Sequence, residues 1–137
     1  MMEIADLPES LAADAIALWH DVGLTRPWND PDADLRRALD GAASTVLAAL
    51  DEDRLLGTAM VGHDGHRGWV YYLAVRPDVQ RDGIGRALMQ ACERWVHTNG
   101  VPKIQLMVRS TNASVISFYE HLGYESSDVV VLGRVLA

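Results

Sequence analysis

Seven consecutive residues, Gln80-Arg81-Asp82-Gly83-Ile84-Gly85-Arg86, constrain this chain more than any other stretch. They follow an apolar run, Trp69 to Val75, that reads as a strand. They open an amphipathic run, Gly83 to Thr98, that reads as a helix, with Ile84, Ala87, Leu88, Ala91, Cys92, Trp95 and Val96 on one face. Glycine at such a junction lets the backbone approach a ligand with no Cβ in the way. The first N–H groups of a helix lack partners inside it and carry the positive end of its dipole. Together these features make a seat for a phosphate or pyrophosphate. Two glycines also fit a turn made only for tight helix–sheet packing, so both readings stand at this point.

The bounds are those of one domain, residues 1–137, with 49% hydrophobic and 23% charged residues. A net charge of −7 and a pI near 5.0 argue against a general nucleic-acid binder, which would carry a basic face. An anionic small molecule remains open, because helix amides and local arginines act at short range. The single cysteine, Cys92, allows no internal disulfide and falls on the apolar helix face. No signal peptide or membrane span is expected, since Glu3 and Asp6 interrupt the start and no apolar run approaches about twenty residues. The expected compartment is the cytoplasm.

In chain order, Met2 to Ala5 reads as a short edge strand. A helix starts at Leu7-Pro8-Glu9-Ser10 and runs to about Val22, with Leu11, Ala15, Leu18 and Trp19 at helical spacing. A loop from Leu24 to Pro31 follows, carrying Trp28 and Asn29. Asp30 or Asp32 caps a second helix, roughly Asp32 to Gly41. Thr45–Leu50 and Leu55–Val61 form a hairpin around Asp51–Arg54. The turn Gly62–Gly68 leads into Trp69–Val75, which is apolar on both faces and therefore placed centrally. Past the glycine helix, Lys103–Val108 reads as a strand and Ala113–Leu122 as a helix. Tyr124–Leu136 reads as one or two last strands, with a break near Asp128 or Gly133. The order predicts an α/β fold with a mixed sheet and helices on both faces.

Asn112 stands at the next strand–helix junction, and Phe118-Tyr119 follow. Gln80-x-x-Gly83-x-Gly85, with Asn112-x-Ser114-x-x-x-Phe118-Tyr119-x-x-x-Gly123-Tyr124, resembles the two signatures of the GCN5-related N-acetyltransferases. The resemblance runs from about Val46 to Tyr124. Around Arg26–Pro31, Asp64–Gly68 and Tyr71-Tyr72-Leu73 the chain is similar to the YpeA-type bacterial branch. The resemblance implies a mostly antiparallel sheet with a V-shaped splay between two central strands, the one ending at Val75 and Lys103–Val108. It implies acetyl-CoA as cosubstrate and no metal. Leu73, Ala74 and Val75 would pair with the pantetheine arm. The pyrophosphate would sit on the amides of Arg81, Asp82, Gly83, Ile84, Gly85 and Arg86, with Gln80, Asn112 and Ser114 completing the set. Arg81 stands where many members have glycine, and Asp82 would have to point away from a phosphate.

Acetyl transfer to an amine needs three things. A free lysine-type amine is deprotonated about one time in a thousand near neutrality, which costs about 4 kcal/mol. The developing oxyanion needs a donor, here the N–H of Ala74 or Val75. The departing thiolate benefits from a proton, and the resemblance assigns that to Tyr119, whose phenol stays protonated at neutral pH. Spacing alone favours a packed core tyrosine at Tyr119, and Asn112 also fits a plain helix cap. No Asp or Glu occurs from Gly65 to Arg76, so the expected base is a water chain joined by Asp64 or Tyr71, with His63 and Tyr72 nearby in sequence. His63-x-x-His66 otherwise reads as a solvated turn, with no further ligand spaced for a metal. Trp28, Asn29 and His63 are the candidate acceptor contacts, although Trp28 also fits a core plug and Asn29 a turn former. The expected acceptor is a small-molecule amine or a peptide N-terminus. Other classes consistent with the residues are an acyl-CoA sensor without transfer and a partner-binding domain with no CoA affinity. The last strand offers a possible homodimer contact.

Overall fold

The computed structural model describes residues 2–80 and 82–136. Asp51 pairs with Arg54 across a two-residue turn, and Glu52 takes the positive φ (55°) that such a hairpin requires. That turn joins β2 (Ser44–Asp51) to β3 (Arg54–His63). β1 (Met2–Asp6) flanks β2, β4 (Gly68–Val75) flanks β3, and β5 (Ile104–Leu106) closes the order β1-β2-β3-β4-β5. Every pairing is antiparallel except β4 with β5. The sheet is thus mixed and mostly antiparallel. The helices are α1 (Ala12–Asp21), α2 (Pro31–Asp40), α3 (Ile84–Thr98) and α4 (Ala113–His121). The chain divides into two compact units, Met1–Met107 and Val108–Ala137; the sheet and α1 to α3 belong to the first, α4 to the second.

Adjacent strand residues point to opposite faces. On β3, Thr58 accepts a hydrogen bond from Trp19 of α1, while a Cβ at the neighbouring Gly57 would meet Leu88 and Ile84 of α3. Helices therefore cover both faces of the sheet. One core joins Trp19, Leu35, Ala38, Val46, Ala48, Leu50, Leu55 and Ala74, all buried. Cys92 is fully buried on α3, and burial pushes its thiol up to about 12, so it is core and no nucleophile. Asp30 caps α2 by accepting from the Ala33 N–H at 3.1 Å, with Pro31 next, where proline lacks an N–H that would go unmet anyway.

Two boundaries differ from the sequence expectation. β5 is shorter than Lys103–Val108 because only three residue pairs join it to β4: Gly68↔Ile104, Trp69↔Gln105 and Val70↔Leu106. Residues 124–136 form no strand, contrary to the pattern of their side chains. Strands require neighbours, and the five-stranded sheet takes none from this segment; Val129, Val130, Val131, Leu132, Val135 and Leu136 stay 64–91% exposed.

Candidate active site

β4 ends at Val75, a short 3-10 turn spans Pro77–Val79, and α3 begins at Ile84. Gly83 is the residue that starts the helix, in the left-handed region at φ 76°, ψ 15°. A Cβ there would meet nothing within 4 Å. Gly83 is thus required by backbone conformation and not by packing. The tight helix–sheet contacts fall elsewhere: a Cβ on Gly57 would lie 2.7 Å from the Ala74 carbonyl oxygen, and one on Gly68 2.5 Å from Val96. Ala87 N–H donates to Gly83 O at 3.1 Å, so the N–H groups of Ile84, Gly85 and Arg86 lie ahead of the first helical bond. The Ile84 side chain is buried against Gly57, which leaves only its backbone to face outward. Asp82 and Arg86 are exposed. Arg81, named above as part of the seat, lies outside the described residues.

The end of β4 supplies further polar backbone. Arg76 N–H donates to Leu56 O at 2.9 Å, so Leu56 and Arg76 form a hydrogen-bonded pair. Such pairs alternate along an antiparallel ladder. Thr58↔Ala74 is the next, and it directs the Ala74 N–H toward β3. Val75, opposite Gly57, turns its N–H and C=O away from β3. On that outer side the ladder with β5 has already stopped at Val70. Gln80 Nε2 donates to the Val75 carbonyl at 3.2 Å and ties the turn to the strand end. Leu73 is half-buried.

Between Thr58↔Ala74 and Met60↔Tyr71, two β4 residues, Tyr72 and Leu73, oppose one β3 residue, Ala59. This is a β-bulge. Tyr72 sits at φ +52°, a rare conformation for an aromatic residue. Its ring stacks on Trp19 with centroids 4.0 Å apart and planes at 17°. Its hydroxyl donates to Asp34 Oδ2 at 2.7 Å, and its carbonyl accepts from the Thr58 hydroxyl at 3.0 Å. Thr58 in turn accepts from Trp19 Nε1 at 2.8 Å. Burial, with the Asp34 hydrogen bond behind it, raises the Tyr72 phenol pKa. Tyr71 pairs with Met60, is 45% exposed, and burial raises its phenol as well.

Trp19 lies two residues before the end of α1 and Asp34 in the first turn of α2. Both ends of the loop that carries Trp28 and Asn29 are thereby fixed beside Tyr72. Trp28 is 70% exposed and so is not a core plug. Asn29 is exposed, and its N–H closes a turn onto Arg26 O at 3.0 Å. His63 and Asp64 stand elsewhere. They lie at the β3–β4 turn beside Gly68, five residues from Leu73, about 17 Å along an extended strand. The His63 ring lies 5.8 Å from the Trp95 ring of α3, and its Nδ1 accepts from the Gly65 N–H. Asp64 Oδ1 accepts from the N–H groups of Arg67 (2.7 Å) and His66 (2.8 Å), which hold its carboxyl below the usual range. Among the described residues no group of three or more His, Cys, Asp or Glu is placed to hold a metal ion. Nor is any helix there long and apolar enough to cross a membrane.

In the second unit, Asn112 caps α4 by accepting from the Val115 N–H at 3.4 Å, and the Ser114 hydroxyl donates to the same oxygen at 3.3 Å. Tyr119 is buried, edge-on to Phe118 (5.1 Å) and Tyr124 (5.7 Å). The Trp19–Thr58–Tyr72–Asp34 cluster is the part of this region that the sequence did not reveal. Nothing in Tyr71-Tyr72-Leu73 marks a positive φ, which glycine or asparagine usually signals.

Comparison with known proteins gives one consistent result. The sequence model of the acetyltransferase (GNAT) family matches residues 13–124. An acetyltransferase of Yersinia enterocolitica is 41% identical over 135 residues, covering 98% of this chain and 96% of its own length. One from Yersinia pestis is 40% identical with the same coverage. Among solved structures, the aminoglycoside N-acetyltransferase AAC(6')-Iy in complex with CoA matches with a TM-score of 0.84 at 17% identity, over 100% of this chain and 96% of that one. The ribosomal-protein-S18-alanine N-acetyltransferase from Escherichia coli matches at 0.73 and 24% identity, over 93% and 79%. These two likenesses show the fold.

Proposed function

This chain belongs to the GNAT acetyltransferase family, and from that premise we propose that it moves an acetyl group from acetyl-CoA to a primary amine by direct attack in a ternary complex. The chain works as a single domain over residues 1–137. One observation carries the proposal: a left-handed Gly83 with open space around it, which starts α3 beyond the outward-facing Val75. That donor set fits an anionic ligand with an amide-bearing arm. The first-turn amides of α3 and the Arg86 guanidinium take the pyrophosphate, with Gln80 beside it, while Asn112 and Ser114 enter as cofactor contacts through the family signature. Val75 and Leu73 pair with the arm where β4 and β5 part. Val75, whose N–H faces outward, serves the oxyanion better than Ala74.

Tyr119 gives its proton to the departing thiolate. Its support is the α4 motif; the Asn112 cap of that helix is compatible with a cofactor contact. The acceptor amine loses its proton to a water chain that Tyr71 joins. Asp64 is the weaker candidate for that chain, because its position and its two amide partners set it apart from Leu73. Trp28 offers an exposed face for the acceptor's carbon chain or ammonium, with Asn29 beside it. The acceptors named for the structural relatives, aminoglycosides and a ribosomal-protein alanine, give two of the classes to screen. His63 belongs to the acceptor side only for a long peptide that reaches the β3–β4 turn.

The test is thiol release from acetyl-CoA against a panel of aminoglycosides, polyamines and peptide N-termini. Tyr119→Phe should lower kcat about a hundredfold and leave acetyl-CoA affinity within twofold. Full turnover in that variant removes Tyr119 from the chemistry. Tight acetyl-CoA binding with no transfer to any amine favours a sensor instead.

A further inference from the structure

We propose that Tyr72 is a positioning residue that couples the acceptor loop to the donor amides at the end of β4. The inference rests on the acetyl-transfer reading. One ring stack and two hydrogen bonds converge on this side chain and its backbone: the stack on Trp19, the hydroxyl bond to Asp34 and the bond that its carbonyl accepts from Thr58. Trp19 and Asp34 bracket the loop with Trp28 and Asn29, whereas Thr58 is cross-strand to Ala74. Tyr72 therefore links the two sides of the reaction through one residue.

Its conformation makes the link directional. An aromatic residue at φ +52° holds that geometry only while its surroundings enforce it. Release of Tyr72 to an ordinary extended φ removes the bulge, and a one-residue slip in β4 turns each following side chain and N–H to the other side. Val75 N–H would then face β3, and the outward donor would be lost. Asp34 does not stand alone in the network: Arg37 Nη2 donates to its other carboxylate oxygen at 2.5 Å, so Oδ2 stays aimed at Tyr72.

The experiment compares wild type, Tyr72→Phe, Asp34→Ala, Asp34→Asn and the Tyr72→Phe/Asp34→Ala double variant. Each is assayed by thiol release with a reactive amine from the panel, by acetyl-CoA binding and by thermal melting. Tyr72→Phe keeps the ring stack and loses only the hydroxyl bond. The proposal expects kcat to fall between about tenfold and a hundredfold, with acetyl-CoA affinity within twofold. Asp34→Ala should match it, Asp34→Asn, which keeps a carbonyl acceptor, should lose less, and the double variant should be no worse than either single. A merely structural hydroxyl would lower the melting temperature and leave kcat of the folded enzyme at the wild-type value. That outcome, or additive losses in the double variant, overturns the proposal. A wild-type chain that moves no acetyl group sinks the acetyl-transfer reading and this inference together. Wild-type turnover with full kcat in Tyr72→Phe sinks this inference alone.

Discussion

Gly57 and Gly83 both lie beside the start of α3, yet the chain needs glycine at each for a different reason. Gly57 sits under the helix, where a Cβ would press 2.7 Å from a backbone carbonyl and 3.1 Å from Leu88. Gly83 stands at the open end, with nothing near it and a positive φ. The first is a packing glycine and the second a conformational one. The difference teaches which glycine serves packing and which serves the backbone turn that opens α3. A sequence motif records both kinds with the same letter.

Substitution breaks the comparison cleanly. Gly57→Ala should have the largest effect, a loss of about 3 kcal/mol of stability, because neither a carbonyl of β4 nor a fully buried Leu88 can move aside. Urea melts read this. The folded fraction of that variant should retain its CoA affinity. Gly83→Ala should lose only about 1 kcal/mol of stability, the strain of a left-handed alanine. Its CoA affinity should fall at least about fivefold in calorimetry, because relief of that strain re-aims the first amides of α3. Gly83→Asn should be milder on both counts, since asparagine tolerates this conformation. Equal CoA affinity in Gly83→Ala and wild type would erase the distinction between the two glycines.

The β3–β4 turn, at the far end of the same strand, supplies the smallest effect. Asp64 has a carboxyl pKa held low by two turn amides. Its contribution to stability is therefore present above the unfolded carboxylate value, near 3.9, and disappears as pH falls through the lower folded value. Asp64→Ala should melt slightly below wild type at pH 7 and coincide with it in strong acid. Turnover at pH 7 should stay within about twofold, as expected of a turn former some strand length from Leu73. A larger loss would return Asp64 to the proton relay.

The fold was largely legible because its periodicities are local. α3 shows its face in Ile84, Leu88, Cys92 and Val96, and the hairpin of β2 and β3 shows its turn. The cap of α2 was narrowed to Asp30 or Asp32, and Asp30 takes it. The irregular course of residues 124–136 was not legible, since Val129–Leu132 carry strand propensity but propensity cannot supply a partner. The glycine that starts α3 could be read from the sequence because glycine is the usual residue for that conformation. The bulge at Tyr72 could not, because three contacts far apart in sequence, from Trp19, Asp34 and Thr58, enforce it. Local pattern finds the parts of a site that a backbone dictates. It misses those that tertiary contacts impose on an otherwise ordinary strand.

The central claim is that backbone amides at the end of β4 and the start of α3 hold acetyl-CoA. Amide-resolved NMR titration of the labelled protein with CoA tests it most directly. The account predicts large shifts at Leu73, Val75, Ile84, Gly85 and Arg86, with Asp64–Arg67 in the turn at the opposite end of β4 unmoved. No shift at those five amides with millimolar CoA, or shifts confined to other regions, would contradict it.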